Sequence, residues 1–186
     1  MGSVASLRVE DGTLVWEQKI VSPEGRTELD RLADIGTRMV IVASDLIVSS
    51  YKNRLVSMAA DSGRLLWFKD IASATGVQVD RTNLAISEKN GDLWMLDRRN
   101  GSTQWKIDRL TNRGLTRPTF YGNYVVVGDI EGYLHWIDTE IGSFVARVRA
   151  GKDGFAAAPL ETVRIGFVGV GVIFSDDFSA LGGAEV

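Results

Sequence analysis

The chain has 186 residues, of which 45% are hydrophobic and 24% charged, so it is long enough to bury a substantial core. Its formal net charge of −3 argues against a nucleic acid or an anionic membrane surface as partner, because binding phosphate groups requires a concentrated basic face. The absence of cysteine excludes a disulfide framework, a thiolate metal site and a cysteine nucleophile. Residues 1–8 lack the apolar stretch of a signal peptide, and we expect them to be an artificial start.

One sequence pattern recurs four times, and it consists of an alternating strand, a glycine turn, and a second strand with an aromatic residue near its start. The turn glycines are Gly12, Gly63, Gly101 and Gly142. They lie roughly 40 to 50 residues apart, which is the length of one four-stranded blade of a β-propeller. The aromatic residues are Trp16, Trp67, Trp105 and Phe144. We expect these rings to pack between blades rather than to stack on a ligand.

Each complete copy of the pattern follows a polar reversal and an apolar strand, so each repeat contains four short strands. In chain order, the pattern predicts a half blade over residues 4–20, blades over about 37–70, 76–107 and 117–149, and a partial blade over 155–186. Because one such sheet cannot bury both faces, neighbouring sheets must stack, and the predicted fold class is all-β, a partial propeller of about four antiparallel blades. Such a chain is a piece of a larger ring, closes imperfectly, or completes its ring with a second copy as a homodimer.

The first interval between turn glycines is the longest, and its extra length falls in residues 22–36. Extra residues at one junction of a repeat protein are typical of a binding loop. This segment mixes Leu29 and Leu32 with charged residues such as Arg31 and Asp34, a composition that suits a protein partner. A loop folded back onto its own blade is an equally good interpretation.

A second irregular junction covers residues 108–118 and carries three arginines, Arg109, Arg113 and Arg117. Two interpretations are open for it, a basic patch for an acidic partner and a solvated loop. We favour the solvated loop, since a run of charges at a junction is usually exposed to water.

The sequence offers little material for catalysis or metal binding. The only histidine, His135, lies within an alternating strand, where we expect a structural role rather than that of a base. Asp129 and Glu131 flank a turn but supply too few oxygen ligands for calcium. The adjacent Asp176 and Asp177 would point to opposite faces of a strand and would not act together as acid and base. We therefore expect no enzymatic activity, no metal and no cofactor.

Three segments resemble the BamB family of outer-membrane protein assembly factors, whose blades are PQQ-type propeller repeats. The segments are residues 27–34, residues 115–137, and the pairs Gly154-Phe155 and Ala158-Pro159. The match runs in order over about residues 4–160. The resemblance implies that the chain corresponds to the C-terminal half of an eight-bladed ring, which in the full-length family is a lipoprotein at the periplasmic face of the outer membrane.

The same resemblance implies a partner and a site. The family binds the POTRA domains of the barrel-inserting subunit BamA and helps to deliver unfolded outer-membrane proteins. Asp34 matches a family contact position, Arg31 and Leu32 lie beside it, and Gly36 stands where the family has a second acidic contact. We therefore predict a non-enzymatic scaffold. Two alternatives are a fragment of a PQQ-dependent dehydrogenase, which shares the repeat, and a propeller that captures unfolded strands by edge pairing.

Overall fold

The computed structural model describes residues 3–20, 39–49, 54–151, 154–155 and 158–159. Within these ranges the chain forms fourteen β-strands, and every sheet is an antiparallel meander in which each strand pairs with its neighbour in sequence. No helix with the length and apolar character needed to cross a membrane occurs in these ranges. The arrangement confirms the predicted fold class, an all-β protein built from propeller blades.

The strands form four sheets, which we number along the chain. Sheet 1 contains β1 (Ser3–Leu7) and β2 (Leu14–Lys19). Sheet 2 contains β3 (Val40–Val42), β4 (Asp45–Ser49), β5 (Leu55–Ala59) and β6 (Leu65–Lys69). Sheet 3 contains β7 (Val77–Val79), β8 (Asn83–Ser87), β9 (Leu93–Asp97) and β10 (Thr103–Ile107). Sheet 4 contains β11 (Thr119–Tyr121), β12 (Tyr124–Gly128), β13 (Tyr133–Asp138) and β14 (Phe144–Arg149).

The central strands of the four-stranded sheets are buried on both faces, because each sheet packs against its neighbours. One apolar cluster joins each successive pair of sheets, and representative members are Val4 and Met58 in the first, Ile47 and Leu84 in the second, and Met95 and Val127 in the third. Burying one such side chain contributes roughly 1.5 to 3 kcal/mol. The core is therefore a stack of interfaces between sheets. The predicted partial blade over 155–186 lies almost entirely outside the described residues.

One tryptophan at each of the three junctions connects a sheet to the next one. Each lies on an outer strand and donates its indole N–H to a backbone carbonyl of the following sheet: Trp16 to Ala60 (3.1 Å), Trp67 to Arg98 (2.9 Å) and Trp105 to Thr139 (2.9 Å). Each ring also lies on the turn glycine of that sheet. A Cβ atom at Gly101 would be 2.6 Å from the Trp67 ring, and one at Gly142 would be 2.8 Å from the Trp105 ring. The recurring tryptophans are therefore packing anchors between blades, as the repeat predicts.

Phe144 departs from that prediction. In sheet 4, the counterpart of Trp105 is Ala146. Each of these two residues follows its turn glycine by the same interval, and each pairs with the equivalent position of the preceding strand. Phe144 lies two residues earlier, opposite Ile137, at a bulge that also occurs in the other three sheets. Phe144 stays 36% exposed, and its ring meets the ring of His135 edge-on at a centroid distance of 6.0 Å.

Candidate functional site

The residues that the resemblance assigns to partner binding, Arg31, Leu32 and Asp34, lie outside the described residues. Their role stays a prediction. In the described part of the chain, the arrangement that most resembles a binding site lies between sheets 3 and 4.

A cleft of about 450 Å³ opens between the loop after β10 and strands β13 and β14 of sheet 4. The residues that define it are Arg109, Arg113, Arg147 and His135, with Phe144 and Val145 on its apolar wall. We call it the arginine cleft. Its volume lies in the range of ligand pockets, which is about 300 to 1,000 Å³.

Backbone hydrogen bonds hold the loop after β10 against two turns, the one between β12 and β13 and the one between β8 and β9. The amide of Ile130 donates to the carbonyl of Arg113 at 3.0 Å, and the amide of Asn112 donates to the carbonyl of Asn90 at 2.8 Å. Asn112 has a φ of 65°, which asparagine adopts more readily than most residues. The loop thereby brings the Arg113 side chain beside the carboxylates of the turn.

Asp129 is the centre of this contact, and its side chain is fully buried. Its Oδ2 accepts hydrogen bonds from Arg113 Nε (2.6 Å) and His135 Nε2 (2.8 Å). Its Oδ1 accepts the backbone amides of Glu131 (2.9 Å) and Tyr133 (3.0 Å). Arg113 also donates from Nη2 to Glu131 Oε2 at 2.6 Å. A buried carboxylate is tolerated when it is both paired and hydrogen-bonded, and Asp129 meets both conditions.

These contacts fix the protonation states of the pair. Burial opposes ionisation of Asp129, but the hydrogen bonds that it accepts outweigh burial and hold its pKa below the ordinary value of 3.8. Burial also lowers the pKa of His135 below its ordinary value of 6.5, against the opposing effect of Asp129. His135 is therefore neutral near pH 7, and its Nε2 carries the proton donated to Asp129. Its Nδ1 is buried without a hydrogen-bond partner among the described residues.

The remaining arginines of this surface lie around one aromatic ring. The guanidinium carbons of Arg147, Arg149 and Arg113 are 4.6, 5.5 and 5.6 Å from the centroid of the Tyr133 ring, within the range of cation–π attraction. Arg113 is neutralised by its two carboxylate partners. Arg109 and Arg147, in contrast, form no ion pair with any described residue. The arginine cleft thus carries uncompensated positive charge.

The chemistry of the arginine cleft suits binding rather than catalysis. The described residues that line it include no serine, threonine or lysine that could act as a nucleophile beside His135. No group of three or more potential metal ligands occurs in the described ranges. The expected structural role of His135 agrees with its burial and its bond to Asp129. The favoured interpretation of residues 108–118 as a solvated loop does not hold for Arg113, whose side chain is only 23% exposed.

Sequence reasoning missed the bond between Asp129 and His135, although the repeat contains a signal for it. In sheet 3, Trp94 Nε1 donates to Glu88 Oε2 at 2.8 Å, and the two residues are six apart. His135 and Asp129 are also six apart and 2.8 Å from each other. Position-by-position comparison of the repeats would have paired His135 with an acidic residue.

Comparison with known proteins identifies the family. The family model described as "Outer membrane protein assembly factor BamB" matches residues 1–107 of the chain. The assembly factor BamB of Xanthomonas campestris pv. campestris is 39% identical over 160 residues, which cover 86% of this chain and 39% of that relative. The chain therefore spans about two fifths of the length of this relative.

Two solved structures show how far the likeness extends. BamB from Moraxella catarrhalis matches with a TM-score of 0.72 and 27% identity, covering 80% of this chain and 45% of that one. A quinohemoprotein alcohol dehydrogenase from Pseudomonas putida HK5 matches with a TM-score of 0.52 and 22% identity, covering 59% of this chain and 19% of that one. This second likeness shows the fold alone. From the family model and the relatives, the chain belongs to the BamB family of outer membrane protein assembly factors.

Proposed function

We propose that this chain is part of a non-enzymatic scaffold that binds the POTRA domains of BamA and assists the assembly and insertion of outer-membrane proteins. The observation that carries the proposal is the 39% identity over 160 residues to a relative named as an assembly factor. The scaffold would act at the periplasmic face of the outer membrane, where the full-length family would be anchored.

The packing of the described sheets supports a role as a rigid platform. Sheets 1 to 4 are joined by apolar clusters and by the three tryptophan contacts, so the loops between strands are presented from a fixed frame. Recognition surfaces are commonly loops on such frames, because the frame reduces the entropy lost on binding. A protein partner that docks on junction loops is consistent with this construction.

The proposed contact with BamA lies in residues 22–36 and includes Arg31, Leu32 and Asp34. Its support is the composition of the segment, in which apolar residues stand among charges, together with the resemblance to the family at these positions. Within this contact, Leu32 would bury apolar area, while Arg31 and Asp34 would set the orientation of the partner through their charges.

The test is the substitution Asp34→Arg. If Asp34 pairs with a cation of the POTRA domains at the centre of the interface, the reversal weakens binding by about 2 to 5 kcal/mol, as for other buried interfacial charges. Calorimetric titration of the chain with the POTRA domains of BamA measures the change. The matched control is Asp61→Arg, the same reversal at an exposed turn of sheet 2. Equal affinity of both variants and the unchanged chain would remove Asp34 from the contact.

Two further measurements address the alternatives. A dehydrogenase fragment would bind the quinone cofactor, so absorbance of the quinone retained by the purified chain would support that alternative and count against the scaffold. A homodimer that completes the ring would double the solution mass, whereas a monomeric mass at micromolar concentration would count against it.

A further inference from the structure

We propose that the arginine cleft between sheets 3 and 4 binds an acidic segment of a protein partner, with carboxylates on Arg109 and Arg147 and an apolar side chain against Phe144 and Val145. The site is separate from residues 22–36 and does not depend on the proposed contact with BamA.

The charges of the cleft are the first support. Arg113 is already paired with Asp129 and Glu131, so these two carboxylates neutralise its charge. Arg109 and Arg147 are exposed and have no ion-pair partner among the described residues, although the whole chain carries a net charge of −3. A guanidinium group matches the geometry of a carboxylate and binds it through two parallel hydrogen bonds. The cleft is thus a local positive site on an acidic chain.

The apolar wall is the second support. Phe144 and Val145 remain 36% and 42% exposed, and both lie beside the two unpaired arginines. Leu110, also part of the lining, is apolar and 4% exposed. Protein interfaces combine an apolar centre with charged residues around it, and the arginine cleft has both parts within one cavity.

The rigidity of the cleft is the third support. Asp129 fixes His135 and Arg113 from one side, and the loop after β10 is tied to the next turn through the carbonyl of Arg113. The ring of Tyr133 holds the Arg147 guanidinium at 4.6 Å from its centroid. Of the two arginines proposed to bind carboxylates, Arg147 is thus already positioned, and a positioned group loses less conformational entropy on binding.

The dimensions favour a protein segment over a nucleic acid. A cavity of about 450 Å³ accepts a few side chains. Affinity for nucleic acid grows with the number of phosphates neutralised, and two unpaired arginines on a chain of net charge −3 supply few such contacts. An acidic peptide with apolar residues between its carboxylates fits both the charge and the wall.

The experiment measures binding of a short fluorescent peptide of alternating glutamate and leucine by fluorescence anisotropy. The comparison peptide has glutamine in place of each glutamate, and a single-stranded oligothymidine probe of similar length serves as the nucleic-acid arm. We expect the acidic peptide to bind and the glutamine peptide to bind at least about tenfold more weakly. Binding of the acidic peptide should weaken as the salt concentration rises. Acetate and inorganic phosphate are added as competitors, and neither should displace the peptide at millimolar concentration.

The variants are Arg109→Gln and Arg147→Gln, alone and combined, with Arg64→Gln as the matched control. Arg64 is exposed at the turn of sheet 2, so its substitution removes the same charge away from the cleft. We expect the double variant to lose about tenfold or more in affinity for the acidic peptide and the control to keep it. Equal loss in the Arg64→Gln control, equal binding of both peptides, or tighter binding of oligothymidine would overturn the proposal. Circular dichroism of each variant checks that the fold is retained.

Discussion

Sheets 3 and 4 are attached to the sheets before them in the same way, yet their surfaces at these two junctions differ. In both, a tryptophan of the preceding sheet lies on the turn glycine and donates to a backbone carbonyl at 2.9 Å. In both, a ring N–H bonds a carboxylate six residues earlier. The ring is that of Trp94 in sheet 3 and that of His135 in sheet 4.

The two rings differ in what lies above them. The Trp94 ring is covered by Lys106 and Lys69, whose Nζ atoms lie 4.6 and 5.6 Å from its centroid. These lysines are engaged within the protein, since Lys106 pairs with Asp92 at 2.6 Å and Lys69 bonds Thr103 at 2.7 Å. Over His135 the same region is the open arginine cleft. The two junctions thus share the packing contact but differ above it, since the cleft at sheet 4 is open and carries arginines without an ion-pair partner among the described residues.

The largest expected difference between the two junctions concerns their acidic residues. Asp129→Ala leaves Arg113, His135 and two backbone amides without their partner in a buried site, which costs about 3 to 5 kcal/mol of unfolding free energy. Glu88→Ala removes one hydrogen bond to Trp94 from a half-buried position and costs about 1.5 kcal/mol or less. Urea unfolding followed by tryptophan fluorescence measures both values.

The control for this pair is Glu140→Ala, an exposed carboxylate at the turn after β13, which should change stability by less than about 0.5 kcal/mol. Equal destabilisation by Asp129→Ala and Glu88→Ala would mean that the two acidic residues contribute equally to the unfolding free energy. The proposed contrast between the junctions would then be wrong.

The sequence predicts the fold better than it predicts the cleft, for a physical reason. Glycine turns and tryptophans recur because every blade must reverse and dock in the same way, so Gly101 and Trp105 are visible as a repeat. The arginine cleft depends instead on contacts between elements. Arg113 reaches Asp129 only because its loop is tied to the next turn, and Phe144 faces His135 only because of a bulge in the pairing of β14. The tie and the bulge both recur in the preceding sheet, but the side chains placed on them do not, so the cleft has no sequence period.

A second comparison isolates the packing contact that the junctions share. Gly142 and Gly12 have nearly the same backbone conformation, with φ of 68° and 70°, but only Gly142 lies under a tryptophan. Gly12→Ala should cost about 1 to 2 kcal/mol, because a Cβ atom disfavours positive φ. Gly142→Ala carries that cost and also places Cβ 2.8 Å from the Trp105 ring, for a total of about 2 to 4 kcal/mol.

The readout for this pair is again the unfolding free energy, together with the emission maximum of tryptophan fluorescence. Only Gly142→Ala should shift the emission, since it displaces a ring from a buried contact. If both variants lose the same stability and the emission maximum does not change, backbone strain alone explains the loss. The contact between Gly142 and Trp105 would then contribute nothing to the cost of the substitution.

The smallest expected effect is a change in stability just below neutral pH that sheet 4 has and sheet 3 lacks, because His135 titrates there and Trp94 does not. Burial and the nearby Arg113 and Arg147 lower the pKa of His135 in the folded chain, against the opposing effect of Asp129. The unfolded chain therefore takes up a proton first as pH falls below about 6.5, and the unfolding free energy decreases from there towards the folded pKa. Protonation of Asp129, whose pKa is lowered from 3.8, decreases the unfolding free energy only under more acidic conditions.

His135→Gln tests this assignment, since glutamine keeps an N–H donor for Asp129 but does not titrate. His135 is the only histidine in the sequence, so the unchanged chain should lose stability between about pH 7 and pH 5 and the variant should lose less. Urea unfolding at a series of pH values measures both curves. If the unfolding free energies of the two proteins fall in parallel with pH, groups other than His135 cause the acid sensitivity. Titration of His135 would then not distinguish sheet 4 from sheet 3.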